Sequence, residues 1–416
     1  MALCLANSLV THRDFIPYDQ LVRYKWWYKH GYMSSTGHCF DIGAATSNSL
    51  REFERRQRKF ATEHQIRPER LDHLPDPHIL DQFNVFCSEE GVAGNGALMR
   101  LAPVPLFFHK YPAHAVLFSG LSGIITHGDR KAYDACRYYG ALIVAALQNE
   151  TKNELLHEEF YSKHESWFNN DPLTPEVMKI AKGSYKRPKG YDAGIRGKGY
   201  IVNALEAALW ALWSDNGFFE TGALNAVNLG DDTDTTAAIY GQLAGALYGF
   251  KNLPLKWVKH VYAHSFISCL SKWITYEGQF WQPEQSILNT RLPDYLSNLN
   301  VVIVSQSIKE PTEDSTLTPE EKSTSSFEKP PTDEPSKKGK SNYPGKGSTK
   351  TTTETRSRRA SARPTSATEL SQSGANKSAK TPVQNVSHSE HGLHKEPQRT
   401  PKKSKQNPDP NSPRKS

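Results

Sequence analysis

Apolar residues recur at helical spacing along most of the first 250 positions. The pattern is clearest in FSGLSGIITH (118–127), AYDACRYYGALIVAALQ (132–148), YIVNALEAALWALW (200–213) and TAAIYGQLAGALYGF (236–250). Gly, Pro and Asp cluster between such stretches, as in LPDPHILDQ (74–82) and YKRPKGYDAG (185–194), and these clusters read as breaks. The opening MALCLANSLV also reads as a helix, ended near Pro17. It lacks the basic leader and small-residue cleavage site of a signal peptide. An apolar helix at position 1 leaves no room for a capping residue, which suggests that something normally precedes it. Alternating strand patterns are nearly absent. The expectation is an all-α fold with one globular helical domain.

Composition limits that domain to about residues 1–300. All 8 Trp and all 5 Cys fall there, whereas residues 305–416 are Ser, Thr, Pro, Lys and Glu with isolated apolar positions. Too little apolar surface is available in 305–416 to offset ordering entropy, so a disordered tail is expected. From Ser305 onward the chain holds 21 Lys+Arg against 13 Asp+Glu, a net +8 out of a total +7, which leaves the preceding part near −1. The basic balance therefore belongs to the tail, and nucleic-acid binding by the folded part gains nothing from it. Runs such as KKSK (402–405) suit weak binding to acidic partners or a nuclear address; the simpler reading is a solvated spacer. Five scattered Cys without a C-x-x-C pair indicate neither a disulfide framework nor zinc, which fits a reducing cytoplasmic setting. No apolar run reaches the roughly 18 residues that crossing a membrane requires.

Chemistry concentrates in three places. The first is NLGDDTDTTAAIYG (228–241), which packs three Asp and three Thr into six positions directly before an apolar helix. Asp232, Asp234 and Thr235 stand at n, n+2 and n+3, where two carboxylates and a hydroxyl can converge beside the helix's positive end. Hard oxygen donors of this kind suit Mg²⁺ or Mn²⁺. The competing reading is an elaborate helix cap. An EF-hand is excluded, because its required Gly and Glu fall on Ala237 and Leu243. The D-x-D-x-T of aspartate-nucleophile phosphatases fails too, since no buried strand precedes it. Gly241, Gly245 and Gly249 follow four apart, and this spacing predicts a glycine face on which another helix packs closely. The second place is GVAGNGALMR (91–100), whose Gly94, Asn95 and Gly96 offer backbone amides for an anion ahead of a helical run. The third is THGD (126–129), where His127 ends an apolar helix.

GNGALMRLAPVPLFF, THGD with ACRYYGALIVAAL, KGYIVNALEAALWALW and NLGDDTDTTAAIYGQLAGALYG, in that order, resemble the ADP-ribosylglycohydrolase family. The likeness is greatest to its dinitrogenase-reductase-activating type and runs from Met1 to about Gly249. It implies an all-α fold, removal of ADP-ribose from protein side chains or related conjugates, and two Mg²⁺ or Mn²⁺ ions. By resemblance Asp232, Asp234 and Thr235 are metal ligands; Asp231 stands where many members have glycine and is a candidate for an outer contact only. Gly94, Asn95, Gly96 and Met99 hold the diphosphate and adenosine side, His127 contacts ADP-ribose, and Gly199 and Tyr200 face the ligand. Family members also carry a Thr-Asp-Asp-Thr before a helix much like MALCLANSLV, with a further acidic residue upstream. This sequence begins where that motif should have ended, so the resemblance implies incompletely ligated ions and low turnover. No general base is assigned. Two functions stay open: a metal-dependent hydrolase of ADP-ribosylated proteins or conjugates, and a non-catalytic ADP-ribose-binding or scaffold module with a basic interaction tail.

Overall fold

The computed structural model describes residues 1–283. The expected boundary near residue 300 and the tail over 305–416 lie outside the described residues. Ten helices carry the architecture: α1 (Ala2–His12), α2 (Pro17–His30), α3 (Ala44–Glu63), α4 (Pro103–Phe108), α5 (Pro112–Ile124), α6 (Arg130–Leu147), α7 (Ile201–Trp213), α8 (Phe219–Asn228), α9 (Thr233–Tyr248) and α10 (His264–Phe280). Shorter helical turns link them. Among the described residues there is no strand, only one isolated antiparallel bridge between Gly94 and Tyr200. The all-α expectation holds.

Helix α6 is the centre, because every residue from Ala132 to Ala146 is buried. A helix buried on all sides has to be enclosed by others. One side of it packs with α7 and α9 through Leu205, Leu209, Ile239 and Leu243. The other meets α4 and α5, and Leu5, Leu9 and Leu21 of α1 and α2 join Phe107 and Phe118 in the same apolar cluster. Helices α5 and α6 cross at close quarters. A Cβ on Gly120 would run into the Tyr133 ring, and one on Gly140 into the Ser119 hydroxyl.

The buried carboxylate of α6 is paired. Asp134, fully buried on α6, accepts from Arg137 at 2.7 Å, Arg130 at 3.0 Å and the Thr174 amide at 2.7 Å. A buried carboxylate needs such partners to remain ionised.

Two expectations need correction. Helix α1 ends at His12, because Arg13 turns left-handed (φ 55°), and Pro17 opens α2 instead of closing α1. The packed glycine face on α9 is not there either: nothing lies within 4 Å of a Cβ built on Gly245 or Gly249, and Gly241 meets only Phe219 at 4.0 Å. The close approach comes from the opposite partner. Gly222 on α8 leaves space for the Tyr240 ring of α9. Gly249 ends α9 at φ 73°, a conformation that glycine adopts without penalty.

Candidate functional site

The Gly94–Asn95–Gly96 loop precedes a single helical turn, Gly96–Met99. Two backbone bonds join it to the start of α7: Asn95 N–H donates to Gly199 O at 2.9 Å, and Ile201 N–H to Ala93 O at 2.9 Å. The end of the turn is held from α9. Gln242 Nε2 donates to the Leu98 and Met99 carbonyls, each at 3.0 Å, and its Oε1 accepts from Ala102 N–H at 2.7 Å. One side chain thus satisfies three backbone groups that a four-residue helix leaves open.

Behind the loop stands His127, three residues past the end of α5 and 1% exposed. A Cβ on Gly94 would lie 3.2 Å from His127 Nε2, and one on Gly96 3.4 Å from the same atom. Both glycines therefore make room for the ring. Burial, reinforced by the Arg100 charge, pushes the His127 pKa down to about 3, so the imidazole is neutral across the physiological range. The histidine is no charged partner for the helix C-terminus. Its Nδ1 lies 2.8 Å from Thr126 Oγ1, which also accepts from Arg100 at 2.6 Å. Arg100, 2% exposed, donates in addition to Gly96 O and Ser122 O, with its guanidinium 4.9 Å from the Tyr24 ring. In the same THGD string, Asp129 caps α6 by accepting from Lys131 N–H at 2.7 Å.

The acidic corner meets this loop at the start of α9. Gly230 (φ 101°) and Asp231 (φ 62°) turn the chain, and Asp232 N–H donates to Gly197 O at 2.7 Å. Asn95 Nδ2 donates to Asp232 Oδ2 at 2.7 Å, tying together residues 137 apart in sequence. Thr235 Oγ1 contacts Met99 Sδ at 3.8 Å. A Cβ on Gly197 would meet the Thr236 hydroxyl, so a glycine there lets the two strands of chain touch.

Capping, the competing reading of these aspartates, is not what they do. Asp232 occupies the N-cap position but makes no side-chain capping bond, and Asp234 is exposed in the first turn with no hydrogen bond or ion pair among the described residues. Two carboxylates and a hydroxyl are the donor types that a hard divalent cation takes, its shell completed by water and ligand oxygens. Among the described residues no group of three or more His, Cys, Asp or Glu is arranged to hold a metal.

The sequence candidates therefore converge. Contacts link Gly94, Asn95, Gly96, Met99, His127, Gly199, Tyr200, Asp232 and Thr235, while Asp234 projects from the same helix end without a contact. Sequence reasoning missed the supports, Arg100, Thr126, Gly197 and Gln242. Arg100 and Thr126 stand inside the very strings that drew attention, GVAGNGALMR and THGD. It also missed a cavity of about 550 Å³ between α3 and residues 87–92, lined by Ala45, Ser49, Arg51, Arg55, Cys87 and Val92. Arg55 and Arg56 pair there with Glu52, each at 2.7 Å; the hydrogen bond from Arg55 leads in lowering that carboxyl to about 2. The cavity adjoins the glycine loop, since a Cβ on Gly94 would lie 3.7 Å from Ala45 Cβ.

The family model for ADP-ribosylglycohydrolase matches residues 1–284. The chain belongs to this family. Among relatives, the ADP-ribosylarginine hydrolase Tri1 of Serratia proteamaculans (strain 568) is 33% identical over 279 residues, covering 66% of this chain and 65% of that protein. Tri1 of Pseudomonas putida (strain GB-1) is 37% identical over 264 residues, covering 63% and 60%. The ADP-ribosyl-[dinitrogen reductase] glycohydrolase of Rhodospirillum rubrum is 28% identical over 176 residues, 41% of this chain and 51% of that one. The match thus spans less than two thirds of either Tri1 protein. As an ADP-ribosylglycohydrolase the chain is more similar to these arginine hydrolases than to the dinitrogen-reductase enzyme that its motifs suggested. No described helix is long and apolar enough to cross a membrane.

Proposed function

We propose that the chain hydrolyses the glycosidic bond joining ADP-ribose to a modified protein, with arginine as the modified side chain. Family membership supports the hydrolase class, and the similarity to two ADP-ribosylarginine hydrolases supports arginine. The observation that carries the reading is the Asn95–Asp232 hydrogen bond, which joins the glycine-flanked anion loop to a corner where Asp232 keeps one oxygen free and Asp234 makes no bond among the described residues. The Gly94 and Gly96 amides bind the diphosphate, His127 and Tyr200 flank it, and the adjoining cavity beside α3 takes the nucleoside end. Asn95 orients Asp232 by holding one of its two carboxylate oxygens. Asp232, Asp234 and Thr235 would hold Mg²⁺ or Mn²⁺, which supplies positive charge to orient the distal ribose and stabilise charge developing at the broken bond.

The test is release of free ADP-ribose from an arginine-ADP-ribosylated protein, with Mg²⁺ or with EDTA. Release that depends on Mg²⁺ is expected. Tight ADP-ribose binding without release would overturn the hydrolase reading in favour of a non-catalytic binding module. One observation favours that second reading: no trio of acidic or imidazole donors stands around the corner among the described residues.

A further inference from the structure

We propose that Arg100 and Thr126 are positioning residues that fix His127 as a neutral Nε2–H donor, aimed at an oxygen of the ADP-ribose ligand. The inference rests on the reading above and goes beyond it by assigning the proton. A guanidinium only donates, so the 2.6 Å bond from Arg100 makes Thr126 Oγ1 an acceptor. The hydroxyl has a single proton of its own to place. His127 Nδ1 lies 2.8 Å away, whereas the alternative acceptor, Gly123 O, lies at 3.5 Å, the limit of a hydrogen bond. The proton goes to Nδ1, which is then the acceptor nitrogen. A neutral imidazole carries its one N–H on the other nitrogen, so Nε2 is the donor.

That donor has nothing to bond. Nε2 faces the backbone of Gly94 and Gly96, the ring is 1% exposed, and no hydrogen bond to Nε2 exists among the described residues. An N–H at the edge of a buried ring, with no protein acceptor, marks by its direction where an acceptor belongs. The ligand oxygen lying against the glycine loop satisfies it. Arg100 serves both surfaces at once, because the same guanidinium bonds Gly96 O in the loop and Thr126 behind the ring. Neutrality follows from the same arrangement, since the buried cation one hydroxyl away disfavours an imidazolium. On this account His127 is a hydrogen-bond donor and takes no part as an acid or base.

The experiment uses the full chain labelled with ¹⁵N at histidine. Long-range nitrogen–carbon-proton correlations read the tautomer of His127 directly, and ADP-ribose is titrated in parallel. The wild type should show an unprotonated Nδ1 and a protonated Nε2. Thr126→Val should lose that fixed pattern and weaken ADP-ribose binding about tenfold, the scale of one hydrogen bond. Thr126→Ser, which keeps the hydroxyl, should restore both, while the thermal midpoint reports folding separately. A protonated Nδ1 in the wild type would overturn the proposal without any variant. So would a Thr126→Val protein that binds ADP-ribose as the wild type does. The right tautomer in a wild type that binds no ADP-ribose would overturn the functional reading, and the ligand-facing half of this proposal with it.

Discussion

The wall behind the glycine loop and the corner at the start of α9 are both polar, yet they are built on opposite terms. Around His127 the groups are buried and engaged with one another: Arg100 donates to three acceptors, and Thr126 links it to the imidazole. At the corner Asp232 has one oxygen held by Asn95, and Asp234 makes no hydrogen bond or ion pair among the described residues. Engaged polar groups in low dielectric are rigid and costly to disturb. Exposed, uncommitted carboxylates contribute little to folding and are available to a ligand. The difference predicts that stability resides in the wall and ion binding in the corner.

The largest test of that division is Arg100→Met. It leaves two buried acceptors and the half-buried Gly96 carbonyl without a donor, at about 1–3 kcal/mol for each buried one before relaxation, and a net loss of about 3 kcal/mol is expected by denaturant unfolding. A change below about 0.5 kcal/mol would mean that the wall is not load-sharing at all.

Acid sensitivity comes next. The His127 pKa is about 3 in the folded protein and about 6.5 in an unfolded chain. Below pH 6.5 the unfolded state therefore takes up a proton that the native state does not. Stability is lost as pH falls through 6.5 toward 3, by up to about 1.4 kcal/mol per pH unit from this group. His127→Gln should show a shallower slope than the wild type in that window, measured by urea midpoints at pH 7, 6 and 5. Parallel slopes would show that the ring titrates normally.

Gly245→Ala should stabilise α9 by about 0.5–1 kcal/mol, because the site has open space and glycine is a poor helix former. A lowered midpoint would restore the idea of a packed face. Asp234→Asn should be the smallest in stability, within about 0.5 kcal/mol, while Mg²⁺ affinity falls at least about tenfold, as when a carboxylate ligand loses its charge. Destabilisation on the scale of Arg100→Met would make the corner a structural cap.

Much of this was legible in the sequence. The apolar stretches at 132–148, 200–213 and 236–250 became α6, α7 and α9 with ends shifted by at most a few residues, because long periodic patterns carry strong information. Residues singled out at 94–96, 127, 199–200 and 232–235 lie together in space. What periodicity cannot supply is the partner across a gap. Three glycines four apart define one side of a helix but do not say what faces it; the close contact was at Gly222 against Tyr240. The Arg100–Thr126–His127 chain depends on rotamers that no spacing encodes. Arg51, Arg55 and Arg56 belong to no motif in the sequence, and they line a cavity because residues 87–92 pass opposite them.

The most direct measurement is the coupling between ADP-ribose and Mg²⁺, taken by calorimetric titration of each ligand with and without the other. If wall and corner are two halves of one site, Mg²⁺ raises ADP-ribose affinity, and ADP-ribose raises Mg²⁺ affinity by the same factor. Asp234→Asn should bring that factor close to one while leaving the fold intact. ADP-ribose affinity that is identical in Mg²⁺ and in EDTA, in the wild type, would contradict the account.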